Sequence, residues 1–117
     1  NVSFEVYWKY ENKNPISVLT CSVHHNIIKY KGKGNGSEPW DGNYSGEIIM
    51  NPINLKIGEG FHVHENIDGF NYPKLIIKDE NTIFVESTYV YNRKDKSFPD
   101  SPINVPQAFV WRRQIKK

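Results

Sequence analysis

The chain has a single cysteine, Cys21, and a single methionine, Met50, in 117 residues. One thiol rules out an internal disulfide framework and a multi-cysteine metal cluster, and it suits a reducing compartment. No CxxC pair, nucleophile elbow or phosphate-binding glycine loop occurs. No run approaches the roughly 18 apolar residues that cross a bilayer as a helix. The start of the chain also lacks the basic, apolar and small-residue succession of a signal peptide. Net charge is only +2, from 15 Lys and Arg against 13 Asp and Glu. That is too little for the basic stripe of a duplex nucleic-acid binder, so no duplex partner is expected. No apolar stripe recurs at helical spacing, and there is no internal repeat or low-complexity tract. Helical bundles, disulfide-stapled domains and duplex binders are set aside on these grounds.

What remains is a one-domain chain, 1–117, long enough to bury roughly two thirds of its unfolded surface. It is 14% aromatic and 38% hydrophobic, a balance that suits a thin sheet with polar outer faces. Short runs rich in Ile, Val, Phe and Tyr alternate with Asn51-Pro52, Gly58-Glu59-Gly60, Asp68-Gly69 and Asp79-Glu80-Asn81, which read as turn signals. The spacing predicts strands over 2–10, 17–30, 44–50, 53–57, 60–65, 74–78, 82–91 and 107–115. Residues 31–42 and 93–106 read as long loops, and Trp40 lies in the first. The expected fold is all-β: a small antiparallel up-and-down barrel of about eight strands, lipocalin-like. Eight strands leave an interior filled by side chains or open to one small ligand.

Alternation assigns faces. Val2, Phe4, Val6, Trp8 and Tyr10 share one face of the first strand, and Leu19, Cys21, Val23, His25 and Ile27 share one of the second. Cys21 reads as a small core residue. His62 and His64 alternate in a way that suggests a metal pair. Phe61 and Val63 are the better core candidates, however, so the two histidines are expected to face outward and no metal or cofactor is expected. Most acids fall in turns, and Glu86 is expected on the solvent face, so no catalysis is expected. The aromatics carry the functional reading. Trp8, Tyr10, Tyr44, Tyr89, Tyr91 and Trp111 lie in predicted strands, several near strand ends, where a barrel has its mouths. Their faces suit a planar ligand. If Phe109 and Trp111 point inward, Arg113 does too, and an inward Arg would meet a ligand phosphate. The competing reading has a cation of the last strand packed on Trp8. His25 completes the expected ligand-binding set of Trp8, Tyr10, His25, Tyr44, Tyr89, Tyr91, Trp111 and Arg113.

Two segments, Trp8-Lys9-Tyr10-Glu11-Asn12-Lys13-Asn14-Pro15 and Gly42-Asn43-Tyr44-Ser45-Gly46-Glu47-Ile48, flank a strand bearing His24-His25. Together they resemble the β-strand-rich domain of two-transmembrane effectors in bacterial cyclic-oligonucleotide antiphage signalling. The resemblance implies a barrel that senses a cyclic dinucleotide, or another small planar anionic ligand. It also implies a preceding membrane segment that disrupts the inner membrane. The chain, which does not begin with Met, would then be a cytoplasmic fragment of an anchored antiviral effector, with homo-oligomers allowed. The family's contact residues cannot be placed on this sequence. The alternatives are a lipocalin-like carrier of a small apolar ligand and a protein-interaction β domain.

Overall fold

The computed structural model describes residues 1–9, 14–35, 41–93 and 103–114; at 67–70, 88–93 and 103–106 only the backbone is described. Eight strands run in chain order: β1 (Val2–Trp8), β2 (Ser17–His24), β3 (Ile27–Gly34), β4 (Asn43–Met50), β5 (Ile57–His64), β6 (Ile67–Asp79), β7 (Thr82–Arg93) and β8 (Ile103–Arg113). Each pairs antiparallel with the next, and β8 pairs with β1 to close a barrel. The all-β barrel expected from the spacing is therefore what forms. Among the described residues no helix is long and apolar enough to cross a membrane.

The partition of the chain differs from the spacing in several places. Residues 31–34, expected in a loop, extend β3; residues 67–73 extend β6 ahead of the expected 74–78; and residues 103–106, expected in a loop, open β8, because each of these stretches finds a neighbouring strand to pair with. Residues 17–30 form a hairpin rather than one strand: β2 and β3 join at His25-Asn26, with His24 opposite Ile27. His25 takes a φ of 55°, a left-handed conformation that few non-glycine side chains adopt. Asn26 holds the turn by donating its Nδ2 to the Met50 carbonyl at 2.9 Å. Residues 53–57 supply no strand of their own. Asn51 Oδ1 accepts from the amides of Ile53 and Asn54 and folds this segment into a loop, leaving Ile53 fully exposed. Gly58, Gly60 and Gly69 lie inside strands β5 and β6, not in turns. A Cβ at Gly58 or Gly60 would strike Met50 or Ile48, so these glycines let β5 press close against β4.

The two ends of the barrel differ. Tight connections at 25–26, 51–56 and 80–81 close one end. At the other lie the strand ends that the longer connections from β1 to β2, β3 to β4 and β7 to β8 join, and the two-residue link 65–66 between β5 and β6. Near the closed end Phe4, Cys21, Ile28, Ile48, Met50, Leu75 and Ile83 pack as one core. Leu75 and Ile48 have no exposed surface, and burying a side chain of that size stabilises by roughly 1.5–3 kcal/mol. Burial also pushes the Cys21 thiol up to about 12, so it stays a neutral core residue, as its setting in the strand predicts. Outside the barrel, Val110 is buried between its register partners Tyr7 and Phe84. Arg112 lies over Tyr7 and Lys78 over Phe84.

Candidate functional site: the open half of the barrel

Above the core the interior is hollow. A cavity of about 340 Å³ opens toward the end with the long connections. Its floor is an edge-to-face pair across the barrel, Tyr30 on β3 against Trp111 on β8, with ring centroids 5.0 Å apart. On one side of the cavity Trp8 stacks on Phe109 at 4.8 Å and continues the Trp111 surface toward the mouth. Four strands round the ring, Tyr44 on β4 stacks on His62 of β5 at 5.2 Å. Flat rings thus face each other across the lumen.

The polar groups are held in place. Tyr44 donates its hydroxyl to Ser17 Oγ, and Ser17 in turn donates to the Lys33 carbonyl at 2.8 Å. Tyr30 and His62 share a hydrogen bond of 2.8 Å between the phenol and Nδ1. His64 Nδ1 accepts from the Asn66 amide at 3.1 Å, which puts the neutral ring's proton on Nε2. Burial, with a contribution from neighbouring His64, lowers His62 to about 4, so the ring is uncharged at neutral pH. Asn71 and Ser87, on β6 and β7, are 3% and 6% exposed and line the same cavity. Asn71 Oδ1 and Ser87 Oγ have no hydrogen-bond partner among the described residues. No Lys, Arg, Asp or Glu of the described residues lines the cavity.

The expected site residues divide accordingly. Trp8, Tyr44 and Trp111 meet in the cavity. Arg113 shares the inward parity of Trp111, as expected, but it is exposed. Its amide bonds the Asn81 carbonyl at the closed end, so it does not reach the cavity. His25 is also exposed in a closed-end turn, because the strand it was read into breaks there. Among the described residues Trp8 packs on Phe109 rather than under a cation, and Arg112 of the last strand lies over Tyr7 instead. Tyr10 and Trp40 lie outside the described residues, as do the side chains of Tyr89 and Tyr91.

The largest correction concerns β5. His62 and His64 face inward at 8% exposure each, while Phe61 and Val63 face outward at 45% and 42%. Phe61 finds an external partner in Tyr72, with ring centroids 5.8 Å apart. Glycine parity decides this: residues 58, 60, 62 and 64 share one face, and the inward space at 58 and 60 is already filled by Met50 and Ile48, so the inward positions there admit only glycine and the histidines in phase with them also face inward. The sequence reading also passed over Ser17, Tyr30, Asn71 and Ser87. Asn71 and Ser87 carry no local signal, since each becomes a cavity group only through strand register. Among the described residues no three His, Cys, Asp or Glu side chains gather as a metal site. Glu86 is exposed on the outer face.

No protein-family model, curated protein or solved structure matches this chain.

Proposed function

We propose that the barrel is a binding module, a carrier or a sensor, for a small uncharged ligand held in its open half. The observation that carries this reading is the cavity itself: about 340 Å³, walled by aromatic rings, with an amide oxygen and a hydroxyl buried in its lining. Pockets for small molecules start near about 300 Å³ and combine apolar walls with a few placed polar groups. A charged group entering here would lose its hydration with no counter-charge among the described lining residues to replace it. Thermal unfolding against a panel of neutral bicyclic aromatics, fatty acids and nucleotides tests the reading. A ligand that binds only the folded state, at a hundred times its Kd, adds about 2.7 kcal/mol. In a domain of this size that raises Tm by several degrees. A rise with a neutral aromatic supports the proposal, and a flat panel counts against it.

The aromatic walls also favour a second reading, the cyclic dinucleotide sensor of an antiphage effector. Rings at Trp8, Tyr44 and Trp111 suit a nucleobase. The phosphates of such a ligand would have to stay at the mouth, since no described cation lines the cavity. A Tm rise with a cyclic dinucleotide alone would favour this reading over the first.

A further inference from the structure

The polar wall of the cavity narrows the ligand's chemistry. Asn71 stands opposite His62 in the β5–β6 ladder and opposite residue 89 in the β6–β7 ladder. Ser87 stands opposite Pro73, one inward position away, so Asn71 and Ser87 are diagonal neighbours on a single wall. Both are more than nine-tenths buried and both line the cavity. An amide oxygen can only accept a hydrogen bond, whereas a serine hydroxyl can donate one or accept one. Buried polar atoms are costly until they are satisfied, and no described residue satisfies these two. A purely apolar ligand would leave them so. A carboxylate or phosphate would supply acceptors only, where Asn71 Oδ1 needs a donor, and would bring a charge among described lining residues that include no Lys, Arg, Asp or Glu.

We propose that Asn71 and Ser87 read the edge of a flat, neutral ligand that carries an N–H beside a carbonyl: the lactam, imide or aryl-carboxamide class. In this arrangement the ligand N–H donates to Asn71 Oδ1, and the ligand carbonyl accepts from Ser87 Oγ–H. The rings at Phe109 and Trp111 on one side, and at Tyr44 and His62 on the other, cover its two faces. The inference rests on the binding reading above and adds the ligand's polar edge to it. It also gives a reason for a buried amide oxygen and hydroxyl left unsatisfied in the cavity lining, since they serve the complex at the expense of the empty barrel.

The test is a calorimetric or tryptophan-fluorescence titration of the full chain with three neutral bicyclic compounds. These are 2-quinolone, 1-methyl-2-quinolone, which lacks the N–H donor, and 2-methoxyquinoline, which lacks both the N–H and the carbonyl. The same series is run on Asn71→Leu and Ser87→Ala. The expected result is that the protein binds 2-quinolone at least ten-fold more tightly than either analogue. Asn71→Leu is expected to lose that preference while melting at a higher temperature, because it removes an unsatisfied buried group. Should Asn71→Leu not fold, Ser87→Ala, a smaller change, carries the comparison with a reduced preference. Equal binding of all three compounds to the unsubstituted protein would overturn the edge reading and leave the binding cavity standing. Binding of none of them would overturn both.

Discussion

At the residue scale His62 concentrates the unusual chemistry. An imidazole held at about 4 in the fold and near 6.5 in the unfolded chain binds fewer protons when folded. Its contribution to stability is therefore whole above pH 6.5 and is lost as pH falls toward 4, by about 3 kcal/mol in all. Urea denaturation at pH 7.5, 6, 5 and 4 should show stability falling most steeply in that window. His62→Gln should flatten the fall, and a His62→Gln profile as steep as the unsubstituted one would place the effect elsewhere. This residue was also the hardest to read. Phe61 and Val63 outrank two histidines in any local scale of burial, and the competing signal, two glycines in phase with the histidines, makes sense only once β4 is known to lie against them. Cys21 was legible because its neighbours Leu19 and Val23 already marked a strand.

At the scale of elements, close approaches between strands shape the site. Gly46 on β4 faces Tyr30 on β3, and a Cβ there would run into the Tyr30 ring. That ring is half of the cavity floor and the partner of His62. Gly46→Ala should cost on the order of 1–3 kcal/mol through overpacking. It should also weaken ligand binding without touching any atom of the cavity's polar wall. A melt and a titration on the same preparation check both effects, and unchanged values would show that Tyr30 has room to yield. The strands within the runs 2–10, 44–50, 60–65 and 82–91 were legible from alternation, because β1, β4, β5 and residues 82–87 of β7 each bury mainly one face. The His25-Asn26 turn was hidden because neither residue is a glycine and the apolar pattern runs through it. Residues 53–57 were misread in the opposite sense: Ile53, Leu55 and Ile57 look like a strand, yet all three are exposed. The two errors cancel in the strand count.

At the scale of the whole molecule, the barrel divides into a packed half and a hollow half. The closed end fills with aliphatic side chains, and the Tyr30–Trp111 pair stops that core. Beyond it the lumen is left to a ligand. Strand number and the absence of helical spacing pointed to a small barrel but did not separate it from an open sandwich; the β1–β8 pairing does. The division into halves was not legible, because it depends on which inward positions fall above or below one ring pair, and so on the register of all eight ladders. The same register carries Arg113 and His25 to the end away from the cavity. The account's central claim is that the open half, and no other surface, holds the ligand. The most direct measurement is a ¹H–¹⁵N spectrum of the chain, recorded during titration with a compound that raises Tm. The account predicts shifts at the Trp8 and Trp111 indoles and at the Asn71 and Ser87 amides, with His25 and Arg113 unmoved. Shifts confined to the closed end or to the outer face around Phe61 and Tyr72 would contradict it.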